Sequence, residues 1–164
     1  MNYKLQIVSK SLHLIQINSK NKNYLMTDDN FINAEESDYL YVKESQLSNS
    51  GNGLFTAIDI YKDEIISIFK GEILSDEEAA IRVKLGNDAY FMNLLNGKIL
   101  DCKNTDCFAK FANDASGFGT SDYKNNCKIT LDENGTVCLV ALKKIKSGDE
   151  IFCDYGKRYW KKYK

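Results

Sequence analysis

Two Asn-Gly pairs in a chain without a single proline set the frame for everything else in this sequence. Asn96-Gly97 lies between the apolar runs Ala89–Leu94 and Lys98–Asp101, and Asn134-Gly135 between Lys128–Leu131 and Val137–Leu142. An Asn-Gly pair between such runs is the strongest short-range signal for a β-hairpin. With no proline available, every other turn must come from Gly, Asn, Asp or Ser. Further short strands are expected at Tyr39–Glu44, Leu54–Ile58, Ile65–Phe69, around Ile73 and at Ile151–Cys153, the last entered through the turn Ser147-Gly148-Asp149. One helix stands out. Ser75 can cap it, Glu78 closes a capping box, and Gly86 is placed to stop it. Many short strands, two hairpins and one good helix predict a mainly β domain.

At 164 residues the chain suffices for one domain, or for one with a modest extension. No apolar run approaches the roughly 20 residues that span a bilayer, and Met1–Lys10 is too polar for a signal peptide. No membrane association is expected. Residues 1–37 read as that extension, with alternation in Tyr3–Ser9 and Leu12–Ile17 predicting two short strands and polar turns at Asn18–Asn23 and Thr27–Asn30. Twenty-two basic and 23 acidic residues leave a net charge of −1, which argues against a whole-surface nucleic-acid binder. The single histidine, His13, excludes histidine-based zinc chemistry and any relay of two imidazoles. Five cysteines (Cys102, Cys107, Cys127, Cys138, Cys153) contain no C-x-x-C pair and read as buried thiols in a reducing, intracellular setting; no metal site is expected.

Three stretches carry candidate chemistry. Ser50-Gly51-Asn52-Gly53 permits close backbone approach, yet lacks the third glycine and following helix of a dinucleotide loop. Asn113-Asp114, directly after Phe111-Ala112, offers an amide that both donates and accepts, although an Asx turn explains it as well. Gly148–Gly156 delivers Tyr155 from a strand, with Tyr159 and Trp160 close behind. Taken alone, Tyr155 reads as a core tyrosine with its hydroxyl satisfied.

In this order, the three stretches and the segments between them resemble the SET domain, the fold of S-adenosylmethionine-dependent protein lysine methyltransferases. The family's G-x-G loop looks like Gly51-Asn52-Gly53-Leu54-Phe55, its G-E segment like Lys70-Gly71-Glu72-Ile73, and its D-x-Y strand like Asp88-Ala89-Tyr90-Phe91-Met92-Asn93-Leu94. Leu100-Asp101-Cys102 follows, then Lys110-Phe111-Ala112-Asn113-Asp114 for R-F-x-N-H, Asn125-Asn126-Cys127 for the P-N step, and Gly148–Gly156 for the G-E-E-x-x-[FY]-D-Y-G close. The resemblance implies a β-clip fold of short strands and hairpins, few short helices and a threaded C-terminal segment. It divides the chain into an extension (1–37), the SET domain (38–156) and a basic, aromatic tail (157–164).

The resemblance also assigns roles. Gly51, Asn52, Gly53, Leu54, Asn113 and Asp114 would hold S-adenosylmethionine, together with Tyr155 and Trp160. Tyr155 and Tyr90 would be catalytic, and Tyr90, Cys153 and Tyr159 would line a channel for the substrate lysine. Asn113 and Tyr155 would therefore meet in space. Three departures stand against the pattern. Asp114 occupies the family's usual His. Cys153 occupies the Phe/Tyr position that tunes methyl number, leaving space for di- or trimethylation. The cysteine-rich zinc segment that often follows the domain is missing from this sequence, so Tyr159 and Trp160 would close the channel instead, or anchor a solvated tail. The implied activity is protein lysine N-methylation, with histone tails as substrate class. The chain would act as a monomeric nuclear chromatin regulator, a cytoplasmic location being the alternative, without direct nucleic-acid binding. The competing reading is a non-catalytic SET-like module that binds a protein segment.

Overall fold

A computed structural model describes residues 31–117 and 121–163. The strands expected at Tyr3–Ser9 and Leu12–Ile17, the two polar turns after them and His13 lie outside the described residues.

The two Asn-Gly signals do make hairpins, but not through two-residue turns. Leu94 pairs with Lys98 and Asp132 with Thr136, so each loop holds three residues, and only the glycine (Gly97 φ 79°, Gly135 φ 77°) enters the left-handed region. This is the loop in which a turn ends in a glycine bulge. The first hairpin joins β5 (Phe91–Asn93) to β6 (Ile99–Asp101), with β4 (Glu72–Leu74) on the other edge of β6. The second joins β7 (Cys127–Leu131) to β8 (Val137–Ala141), which also pairs with β3 (Ile65–Ile68). A third sheet has the order β1 (Leu40–Glu44), β2 (Asn52–Thr56), β9 (Glu150–Ile151). All pairings within the sheets are antiparallel. Strand β2 begins inside the glycine loop, two residues earlier than the pattern of Leu54–Ile58 predicts, because Asn52 and Gly53 pair with Glu44 and Lys43.

A short helix α1 (Glu36–Tyr39) leads into β1. Helix α2 (Asp76–Lys84) has the full capping box: Ser75 Oγ accepts from Glu78 N–H at 3.2 Å, and the Glu78 carboxylate accepts from Ser75 N–H at 2.9 Å. Gly86, at φ 68°, ends it. The core lies between the sheets, where Leu54, Ile60, Ile66, Leu139, Ile145 and Ile151 are fully buried. All five cysteines are buried free thiols.

The closing segment does not stay in its sheet. After β9, Phe152 forms a parallel bridge with Asn113, and Cys153 one with Cys127. Cys153 N–H donates to the Asn113 carbonyl at 2.8 Å, while Asn126 and Cys127 N–H groups both donate to the Phe152 carbonyl at 3.0 Å. The segment is thus threaded between two stretches far upstream. Residues 157–163, read from sequence as a tail, continue a helix α3 that begins at Gly156 (Gly156–Tyr163). Gly156, at φ 81°, makes the sharp turn into it, and its N–H donates to Asp154 Oδ1.

Candidate active site

One cavity of about 640 Å³ opens where the glycine loop, the β5 segment, the turn after a 3₁₀ helix at Ala109–Phe111 and helix α3 converge. Its walls include Ser50, Gly51 and Asn52 on one side, Tyr90 and Phe91 on another, Ala112 and Asn113 at the base, and Cys153, Tyr155, Tyr159, Trp160 and Tyr163 from the closing segment. Such a volume is in the range that holds a ligand of nucleoside size.

Asn113 is placed by its backbone, which pairs with the threaded strand, and by its side chain, whose Nδ2 donates to the Asn52 carbonyl at 3.0 Å. That bond ties the glycine strand to the Asn113 turn. Gly51 sits at φ 68°, a conformation that favours glycine, and open space surrounds the position of its missing Cβ, so backbone is presented to the cavity. Loop and amide fit a polar ligand held through main-chain groups and one amide side chain.

Tyr155 is held at both ends. Its N–H donates to Asp114 Oδ2 at 2.8 Å and its hydroxyl to the Ala112 carbonyl at 3.0 Å. The Cys153 thiol also donates to that carbonyl, at 3.3 Å. Burial, followed by the negative potential of Cys153, Tyr159 and Asp114, pushes the Tyr155 phenol well above its usual value, so it keeps its proton. Around it the rings of α3 form a wall: Trp160 stacks on Tyr155 with centroids 5.9 Å apart and planes at 15°, while Tyr159 meets both rings edge-on. Tyr163 continues the wall 4.7 Å from Tyr159. Faces of this kind accommodate a cation. Lys162 pairs with Asp88, pinning the end of α3 to the segment that carries Tyr90.

The residues singled out from sequence separate into two groups. Gly51, Asn52, Asn113, Tyr90, Cys153, Tyr155, Tyr159 and Trp160 share the cavity. Gly53, Leu54 and Asp114 stand behind its walls: Leu54 is core, Gly53 backs onto Glu150, and the Asp114 side chain is wholly enclosed. Tyr90 immediately precedes β5 rather than lying within it, and it is 43% exposed at the rim.

Two residues that brace the site were given no role of their own by the sequence reading. Glu150, 2% exposed, accepts from Ser45 Oγ at 2.6 Å, from Gln46 N–H at 2.7 Å and from Asn113 Nδ2 at 3.4 Å. It lies against Gly53, where any Cβ would overlap its carboxylate. Asn126 grips the threaded strand, donating to the Glu150 carbonyl at 2.8 Å and accepting from Phe152 N–H at 2.9 Å. A carboxylate within a G-D-E turn was the available signal for Glu150; its partners, Ser45 at 105 positions, Gln46 at 104 and Asn113 at 37, gave none.

The SET domain family model matches residues 51–156. Among curated proteins, the chain is 32% identical over 109 residues to histone-lysine N-methyltransferase EZ1 of Zea mays, and 28% identical over 114 residues to the H3 lysine-36 specific histone-lysine N-methyltransferase of Mus musculus. These alignments cover 65% of this chain but only 11% and 4% of those proteins, so it corresponds to a small part of each. Among solved structures, ctPRC2 in an autoinhibited conformation bound to S-adenosylmethionine matches with a TM-score of 0.61 and 26% identity, over 72% of this chain and 15% of that one. A humanized mutant of the Chaetomium thermophilum Polycomb Repressive Complex 2 bound to the inhibitor GSK126 gives 0.59 and 26%, over 71% and 15%. Because the family match runs from the glycine loop to the residue after Tyr155, it takes in nearly every segment that builds the cavity, and on that ground the chain belongs to the SET domain family.

Proposed function

We propose that this chain is an S-adenosylmethionine-dependent protein lysine N-methyltransferase domain acting on histone tails. The observation that carries the reading is the meeting of Tyr155, Asn113 and the Gly51–Asn52 backbone on one cavity. The cofactor named in the solved relative fits this donor set: Gly51, Asn52 and Asn113 would hold it through main-chain and amide groups, with Trp160 and Tyr155 against it and Gly53, Leu54 and Asp114 supporting from behind. When bound, it supplies a methyl group carried on a sulfonium.

The remaining chemistry falls to the protein. A lysine amine with a pKa near 10.4 costs roughly 4–5 kcal/mol to deprotonate at pH 7. A channel of Tyr90, Tyr159 and Cys153 lowers that cost by excluding water, which disfavours the ammonium form. Tyr155 keeps its own proton and so does not act as the base; it orients the neutral amine. Holding amine and methyl in line can supply several kcal/mol more, up to roughly 7–11 in well-oriented cases. On this reading the domain acts as a monomer, on chromatin in the nucleus. The Asp114 departure supports catalysis over a non-catalytic binding module, because the altered side chain is turned away from the cavity.

The test is transfer of labelled methyl to core histones and histone-tail peptides. The wild type is expected to transfer it, and Tyr155→Phe to be about 10- to 100-fold slower, or about 1.4–2.8 kcal/mol. Equal rates would remove Tyr155 from catalysis. Calorimetric binding of S-adenosylmethionine without any transfer would favour the binding module.

A further inference from the structure

Asp114 is fully enclosed, so its carboxylate has to be satisfied from within the protein. Five donors face its carboxylate. Oδ1 accepts from Ser116 N–H at 2.9 Å, Ser116 Oγ at 2.6 Å and Asn125 Nδ2 at 2.9 Å. Oδ2 accepts from Tyr155 N–H at 2.8 Å and from the Trp160 indole N–H at 2.8 Å. One oxygen is anchored in the turn beside Asn113; the other holds two separate parts of the closing segment. The first is the backbone that aims the Tyr155 phenol. The second is the ring of α3 that stacks on that phenol and walls the cavity.

We propose that Asp114 is a positioning residue that couples docking of helix α3 over the cavity to placement of the Tyr155 hydroxyl, so that closure of the aromatic wall and assembly of the reacting site are one event. This rests on the reading of Tyr155 given above. The geometry requires an anion. A neutral imidazole offers one acceptor nitrogen and a protonated one offers none, and an Asn side chain would turn an NH₂ donor toward groups that are themselves donors. Only a carboxylate accepts from both sides at once. The Trp160 ring packs onto Gly117 so closely that a Cβ there would overlap the indole. Moving the ring breaks the Oδ2 bond, and Oδ2 also carries the Tyr155 backbone. The Lys162–Asp88 pair holds the far end of the same helix to the segment that carries Tyr90.

The chain contains one tryptophan, so the fluorescence of Trp160 reports the position of α3 directly. Trp160→Phe keeps an aromatic ring on α3 and removes the indole donor to Asp114. With coupling, kcat falls at least fivefold in this variant while KM for the peptide changes less than twofold, and amide exchange speeds up at least tenfold across residues 155–163 but not in the β3–β8 pairing. In Asp114→Asn, acrylamide quenching of Trp160 rises at least twofold, and adding Trp160→Phe slows that variant no further. Unchanged exchange at residues 155–163 in Trp160→Phe overturns the proposal, as does an exchange increase spread evenly over all strands, the mark of a merely structural bond. The exchange readout in Trp160→Phe needs neither activity nor Asp114→Asn, so it decides the coupling even if Asp114→Asn fails to fold. Absence of methyl transfer by the wild type would instead defeat the functional reading on which the phenol's role depends.

Discussion

At the residue scale, the phenol of Tyr155 has a consequence for the pH profile. Burial holds its proton on, and the hydrogen bonds from Ser116, Trp160, Tyr155 and Asn125 outweigh burial to keep the Asp114 carboxyl below the usual carboxylate range. Neither group then titrates between pH 6 and 9, and the amine of the incoming lysine is left as the group whose deprotonation sets the rate. The rate at low substrate is expected to climb about tenfold per pH unit from 7 to 9, without a second inflection. A plateau near pH 7 would show a base that the site does not present. Cys153 gives a second residue-scale expectation. Its thiol lines the cavity beside Tyr155, so Cys153→Tyr fills space there, and mass spectrometry of a methylated peptide should show products shifted toward monomethyl lysine. Tyr155, Asn113 and Tyr90 were legible because their residue types sit in short ordered motifs. Asp114 was legible as a departure only: its five donors come from four residues spread over about forty positions, and the sequence contains no trace of that convergence.

Elements were read best where local chemistry decides them. The capping box of α2 and the two Asn-Gly hairpins act over three to five residues, and both formed as patterned, although the loops are three-residue glycine-bulge loops, one residue longer than the shortest hairpin turn. Helix α3 was not legible. Eight residues are too few for a stable isolated helix, and this one exists because its rings pack over the cavity and Lys162 meets Asp88. The start of β2 inside the glycine loop was hidden for a related reason. Its position depends on Glu150, which fills the space where a Cβ on Gly53 would lie. Gly53→Ala should therefore push the carboxylate off Ser45 and Gln46 and cost about 1–3 kcal/mol in a denaturation midpoint with m unchanged. Glu150→Ala, which leaves those donors without their acceptor, should cost about 3 kcal/mol. If both variants match the wild type, the contact beneath the glycine loop contributes nothing to stability.

Across the whole molecule, no sheet owns the cavity. Its walls are borrowed from the glycine loop, the β5 segment, the Asn113 turn and α3, and the closing strand ties them together. A ligand bound there bridges all of these parts at once, so S-adenosylmethionine at about 100 times its Kd should add about 2.7 kcal/mol and raise Tm by roughly 5–10 °C. No shift under those conditions would mean that the cavity does not take the cofactor. The overall class, mainly β with few short helices, was readable from turn chemistry and strand length. The threading was readable through family likeness alone, since periodicity says nothing about which upstream stretches a strand will pass between.

That threading also orders events in time. Asn113 and Asn126-Cys127 must wait for residues 150–155 before either the core or the crevice is complete. A chain whose residues 150–155 have not yet been threaded therefore lacks the crevice, and the cavity cannot form ahead of them.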